Sequence, residues 1–256
     1  MGYGLAVNLV KHQFEVFGFD IDGNKLDEAA LEGIEKAKSV KEIAKKVETV
    51  ILSLPHPKIS KKVVTQLSLV GSKVRNIIDT STLTPEDTSY LYKELRKIRI
   101  NFLCAPMIGG KQAALKGEIH FLVEGDKKVF EQNKHIFKAM GRRTDYMGEP
   151  PKATLTKLAY NICRYSNVAT AVEVSRLIRK HTRDTRLIYQ ILTEGSLDNF
   201  GQVWGEDIKE MMLTGKPYKP SKIPEKDLGL IIKLAKKVLI SDKLFNIIRD
   251  VYKSLT

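Results

Sequence analysis

Met1-Gly2-Tyr3-Gly4-Leu5-Ala6-Val7-Asn8-Leu9, then the strand-like Phe14-Glu15-Val16-Phe17-Gly18-Phe19 and Asp20, is the stretch that decides how this chain folds. A βαβ unit that holds a dinucleotide runs strand, G-x-G-x-x-G turn, helix and second strand. An acid about 20 residues on takes the ribose hydroxyls. Gly2 falls where the last glycine of that turn belongs, an amphipathic run follows it, and Asp20 closes the second strand. The opening strand and the first two glycines do not stand in the sequence. By themselves these residues also suit an amphipathic helix opening an ordinary globular chain.

The rest of the first part continues the alternation. Apolar β-rich runs occur at Val47–Leu54, Val74–Asp79, Ile100–Pro106 and Ile119–Glu124, with helical patterns between them, notably Lys58–Ser68 and Thr84–Lys97. Alternating strands and helices argue for an α/β, doubly wound, mostly parallel sheet. Ligands of such sheets gather beyond the carboxyl ends of the strands. Here those ends carry Asp20, Leu54-Pro55, Asp79-Thr80-Ser81-Thr82 and Ala105-Pro106. After Gly148-Glu149-Pro150-Pro151 the strand signal stops. A Pro-Pro step suits the entry to a helix and not its interior. Lys152–Lys180 then contains neither Gly nor Pro, and helical stretches follow at Thr185–Leu192, Gly205–Leu213, Asp227–Val238 and Asp242–Leu255. We therefore expect a Rossmann-type dinucleotide-binding domain over 1–151 and an all-helical domain over 152–256, beginning with a long helix.

Composition sets outer bounds. A chain of 256 residues with 43% hydrophobic and 29% charged residues is that of one or two globular domains. No run approaches the roughly 20 apolar residues of a membrane span, and the first residues lack a signal-peptide layout. Cys104 and Cys163 make no CxxC pair. Both read as small core residues in a reducing cytoplasm. The net charge of +13 comes from dispersed basic residues interleaved with acids, as in Lys93-Glu94-Leu95-Arg96-Lys97. Nucleic-acid surfaces cluster their cations, so attraction of anionic small molecules is the expected use and nucleic acid is not.

Few residues offer chemistry individually. Lys157 and Asn161 stand four apart on the long helix and share a face, which suits a general acid/base beside a substrate-orienting amide. A surface lysine with an unrelated asparagine gives the same spacing. Gly109-Gly110 follows the strand ending in Cys104-Ala105-Pro106. The pair reads either as a turn or as exposed N–H groups for a carboxylate. Asp79–Thr82 lies at a strand end, and Thr84 or Ser81 could cap the helix that follows. The five histidines show no metal-ligand spacing.

The order of these signals is more specific than any one of them. Met1-Gly2, Asp20, Leu54-Pro55, Asp79-Thr80-Ser81-Thr82, Ala105-Pro106-Met107-Ile108-Gly109-Gly110, Gly117, Gly148, Lys157…Asn161 and Lys226-Asp227-Leu228 follow one another along nearly the whole chain. This resembles the β-hydroxyacid dehydrogenase family, which includes 3-hydroxyisobutyrate dehydrogenase, tartronate semialdehyde reductase and the 6-phosphogluconate dehydrogenases. The resemblance implies an NAD(P)-dependent oxidoreductase acting on a small β-hydroxyacid or its semialdehyde. It implies Lys157 as the catalytic acid/base and Asn161 as the substrate-orienting amide. It also implies Gly109 and Gly110 as the carboxylate grip, and Met1, Gly2, Leu54, Pro55, Ser81, Thr82 and Lys226 as cofactor contacts. Asp20 matches the ribose-reading position, where an acid favours NAD over NADP because a 2′-phosphate would meet like charge. The family also implies a homodimer packed through the helical domain.

Three places differ from the family pattern: the first strand, a serine position held by Ile108, and a G-x-G held by Pro151 and Ala153. The missing strand is central, so we expect its neighbours in the sheet to lack partners.

Overall fold

The computed structural model describes residues 1–69, 71–182, 184–194 and 205–255. Met1–Lys157 and Leu158–Thr256 form two compact units.

The first unit opens with α1 (Gly2–Lys11), β1 (Phe17–Gly18), α2 (Gly23–Leu31), β2 (Glu35–Lys36), α3 (Val40–Lys46), β3 (Thr49–Leu52) and α4 (Pro57–Leu67). It continues with β4 (Asn76–Asp79), α5 (Pro85–Lys97), β5 (Asn101–Cys104), β6 (Met107–Ile108), α6 (Lys111–Leu115), β7 (Ile119–Gly125), α7 (Lys127–Met140) and β8 (Gly141–Gly148). Side chains fix where these helices start. Asp22, Ser39, Thr84 and Asp126 each accept a first-turn N–H, and Pro57 and Pro85 occupy first-turn positions where no N–H is needed.

The strands make an α/β sheet broken in two. β1 pairs in parallel with β2 alone, while β3, β4, β5, β7 and β6 follow in that order with β8 added on β7. β3–β4, β4–β5 and β7–β8 are parallel, whereas β7 runs antiparallel to β5 and β6.

Two apolar layers enclose the larger sheet. Leu5 and Leu9 of α1 join Ile78, Leu103, Phe121 and Phe137 in one cluster. Leu67, Ile77, Leu91, Leu95 and Phe102 form another. The β1–β2 pair is attached through a smaller cluster of Val7, Ala29 and Ile34. Asn8 ties α1 to α6 by donating to the Ala114 carbonyl at 2.7 Å.

Helix α8 (Lys152–His181) is 30 residues long, as its freedom from Gly and Pro leads one to expect. α9 (Arg186–Glu194), α10 (Gly205–Thr214), α11 (Ile223–Lys237) and α12 (Lys243–Lys253) complete the second unit. Val168, Ala169 and Val172 of α8 are buried with Ile208, Leu228 and Tyr252. Leu155 and Leu177 of the same helix are 42% and 62% exposed. Cys104 is buried, but Cys163 is exposed on α8, which corrects the expectation that both are core residues. A cysteine's preference for the interior is only statistical, and here helix phase decides which face it takes. Among the described residues no helix is long and apolar enough to cross a membrane.

Candidate active site

Among the described residues helix α1 has no side-chain cap and no acid in its first turn, so its leading N–H groups meet no negative side chain there. Such a terminus carries partial positive charge and suits a phosphate. Gly2 lies close against the loop after β3, where a Cβ would come within 3.1 Å of Ser53 Cβ, tighter than ordinary contact. The next residue of that loop, Leu54, donates its N–H to Ser81 Oγ at 2.8 Å, which fastens the ends of β3 and β4 together. Thr80 Oγ1 donates to the Leu52 carbonyl at 2.7 Å. Met1, Gly2, Leu54, Pro55, Ser81 and Thr82 are thus gathered at the carboxyl ends of adjacent strands.

The charge around this corner is positive. Burial is the main cause that lowers the Met1 amino pKa, with the charges of Lys111 and Lys25 adding to it. An uncapped helix start, a close approach at Gly2 and two nearby cations fit a dinucleotide pyrophosphate. Asp20 is exposed just beyond β1 and accepts from the Asp22 N–H at 3.0 Å. Lys25, the nearest cation in that loop, is engaged with Asp22 at 3.3 Å.

Gly109 has φ +134°, and a Cβ would lie 2.7 Å from Ile119 Cδ1, so only glycine fits without strain. Gly110 caps the short α6, with open space where its Cβ would be. Ile108, in β6, pairs with His120 and offers no hydroxyl.

Asp79, Cys104 and Glu124 stand side by side in register across β4, β5 and β7, all fully buried. Asp79 Oδ1 accepts from the Ser81 N–H at 2.9 Å, while Oδ2 has no hydrogen-bond partner among the described residues. Burial raises the Asp79 carboxyl above its ordinary value. Burial, reinforced by the charges of Glu124 and Asp79, raises the Cys104 thiol much further. Glu124 is also raised by burial, against the pull of the groups that donate to it. Its Oε2 accepts from the Ala153 N–H at 2.6 Å and its Oε1 from the Thr154 hydroxyl at 2.7 Å.

Lys157 and Asn161 sit one turn apart on α8 and are 9% and 2% exposed, so neither is an ordinary surface residue. In the second unit, Asn161 Nδ2 donates to Asp227 Oδ2 at 2.8 Å, and the Tyr165 hydroxyl donates to the same oxygen at 2.9 Å. Lys226 Nζ lies 3.0 Å from Oδ1, outside hydrogen-bonding direction. Burial, then the Asp227 charge, pushes the Tyr165 hydroxyl pKa far up. Asp227 is the hub that sequence reasoning passed over in favour of Lys226. It stands three residues after Pro224, past the first turn of α11, and no local sequence signal marks the partners it meets. Among the described residues no group of three or more His, Cys, Asp or Glu could hold a metal ion.

Residues 1–148 match the family model described as the NAD binding domain of 6-phosphogluconate dehydrogenase. Mitochondrial 3-hydroxyisobutyrate dehydrogenase of Mus musculus is 28% identical over 210 residues, covering 81% of this chain and 62% of that protein. The chain therefore matches less than two thirds of the length of that relative. Among solved structures, 3-hydroxyisobutyrate dehydrogenase from Salmonella typhimurium superposes with a TM-score of 0.84 at 19% identity, covering 99% of this chain and 90% of that one. The Mycobacterium tuberculosis 3-hydroxyisobutyrate dehydrogenase solved with L-serine gives 0.84 at 20% identity, covering 99% and 89%.

Proposed function

The chain belongs to the family of the NAD binding domain of 6-phosphogluconate dehydrogenase, and on that premise we propose that it is an oxidoreductase moving hydride between NAD and a small β-hydroxyacid or its semialdehyde. The observation that carries this reading is the burial of Lys157 and Asn161 on one face of α8. A chain rich in lysine does not sink an ammonium group without cause.

The nicotinamide, when bound, supplies the hydride acceptor. The rest falls to the chain. Lys157 Nζ takes the proton of the substrate hydroxyl during oxidation and returns it to the carbonyl oxygen during reduction. Asn161, its amide nitrogen held by Asp227, orients the substrate through its remaining oxygen. The N–H groups at Gly109 and Gly110 grip the carboxylate. Met1, Gly2, Leu54, Pro55, Ser81, Thr82 and Lys226 contact the dinucleotide, and Asp20 reads its ribose. L-serine, present in the Mycobacterium tuberculosis structure, is itself a β-hydroxyacid of the size expected.

We assign residues 1–151 to cofactor binding and 152–256 to substrate binding and dimerisation. The unpaired cysteines suit a reducing compartment such as the cytoplasm, though the mouse relative is named as mitochondrial.

Turnover of 3-hydroxyisobutyrate, L-serine and related acids with NAD tests the reading. Lys157→Ala should lower kcat by about 10²–10⁴, and unchanged turnover would remove the lysine from this role. A second reading, a dinucleotide-binding relative without catalysis, is favoured by Ile108, which offers no hydroxyl beside the glycine pair. NAD binding with no turnover on any of these acids would select it.

A further inference from the structure

Glu124 is a charged residue in the most buried strand of the first unit, and no role proposed above uses it. It is 0% exposed, at the end of the run Ile119-His120-Phe121-Leu122-Val123. Its surroundings explain why a carboxylate is tolerated there. Oε2 takes the Ala153 N–H at 2.6 Å and lies 3.4 Å from the Thr154 N–H, while Oε1 takes the Thr154 hydroxyl at 2.7 Å. Each of these groups can only, or does, donate to it.

Ala153 and Thr154 belong to the first turn of α8, whose leading N–H groups have no partner within the helix. The first backbone bond recorded at this end runs from the Leu155 N–H to the Pro151 carbonyl. Glu124 therefore caps α8 from another strand, across 29 residues of sequence, and its charge opposes the positive end of the helix dipole. The cap is itself braced. Thr154 Oγ1 lies 3.0 Å from Thr88 Oγ1 of α5 and 3.6 Å from Cys104 Sγ of β5, and Thr88 Oγ1 lies 3.0 Å from the Thr84 carbonyl.

Lys157 follows Ala153 by four residues and Thr154 by three. Side chains on a helix lean toward its N-terminus, so Lys157 lies over the turn that Glu124 holds. We propose that Glu124 is a positioning residue, which fixes the first turn of α8 and thereby sets the placement of Lys157. The proposal rests on the reading of Lys157 as acid/base, and its test separates the two.

The experiment compares Glu124→Ala, Glu124→Gln and Thr154→Val with the whole wild-type chain. Amide exchange is measured at Ala153 and Thr154, together with the rate of Lys157 acetylation by acetic anhydride, read by mass spectrometry. kcat and KM are measured with NAD and 3-hydroxyisobutyrate or L-serine. In Glu124→Ala the two amides should exchange at least 10-fold faster and Lys157 acetylation should change severalfold. kcat should fall at least 10-fold while KM for NAD stays within about twofold. Glu124→Gln keeps one acceptor oxygen and should fall between, and Thr154→Val should show a smaller loss in the same direction. These two variants carry the test if Glu124→Ala does not fold.

Wild-type exchange at Ala153 and Thr154, or an unaltered Lys157 rate, would overturn the proposal. So would a loss appearing in KM for NAD and not in kcat, because a merely structural residue would move binding and stability without singling out the chemical step. If the wild type turns over none of these acids, the functional reading fails separately. Exchange and acetylation then decide on Glu124 alone.

Discussion

Replacing Asp227 probes how the second unit holds Asn161. The carboxylate is 1% exposed and accepts two hydrogen bonds on one oxygen, from Asn161 at 2.8 Å and from Tyr165 at 2.9 Å. Bonds to a charged acceptor contribute about 1.5–3 kcal/mol each. Asp227→Ala leaves a buried amide and a buried hydroxyl without their acceptor and, at about 1–3 kcal/mol for each, should cost about 2–6 kcal/mol. Asp227→Asn behaves differently because both donors use the same oxygen. An amide oxygen in that place keeps both bonds at neutral strength, so the loss should be about 1–2 kcal/mol. Urea unfolding of the whole chain, followed by far-UV circular dichroism and fitted for two compact units, measures the difference. A cycle with Tyr165→Phe should give a coupling of about 1–2 kcal/mol. Equal losses for the alanine and asparagine variants, or strict additivity with Tyr165→Phe, would refute the shared-oxygen reasoning.

Three further outcomes are expected. Asp79 has a raised carboxyl pKa, so the folded state binds its proton more tightly than the unfolded chain does. Stability from this group is then lost as pH rises from the ordinary carboxylate value through the folded one. Asp79→Asn keeps the acceptor for the Ser81 N–H and removes that loss. Its stability relative to wild type should grow with pH across this window, at up to about 1.4 kcal/mol per unit, and a flat difference in unfolding curves would contradict it. NAD should bind more tightly than NADP in titration calorimetry, because Asp20 repels a 2′-phosphate and Lys25 is already engaged with Asp22; Asp20→Ala should narrow the gap. Light scattering at micromolar concentration should give twice the 28.9 kDa chain mass or a multiple, and a folded monomer would dismiss the proposed dimer.

What the sequence disclosed was whatever local chemistry determines. The span of α8 followed from the absence of Gly and Pro, the cores of β3, β4, β5 and β7 from their apolar runs, and the start of α5 from Thr84 and Pro85. β8 stayed hidden because Gly141–Gly148 is a partly exposed strand with Arg142, Arg143 and Asp145 in it, and no apolar run marks it. β2 and β6 have two residues each, too few for any period. Lys157 and Asn161 could be picked out through the family resemblance, since their spacing alone also suits a surface lysine, and their burial could not be read at all. Glu124 and Asp227 were illegible for a different reason. Each acts on a segment tens of residues away, through a pairing that only the folded register creates.

The division of the sheet reaches beyond architecture. Among the described residues β1 and β2 pair only with each other, and this lobe meets α1 through side chains, chiefly the cluster of Val7, Ala29 and Ile34. A lobe joined by side chains and not by a ladder opens at a lower free energy than the rest of its unit, as a cooperative piece of its own. Asp20 stands at the end of that lobe. On the role proposed for Asp20, dinucleotide affinity and the opening equilibrium of residues 17–37 would then be one linked quantity. Any change that loosens the packing of Ile34 should weaken NAD without touching a single atom that meets it.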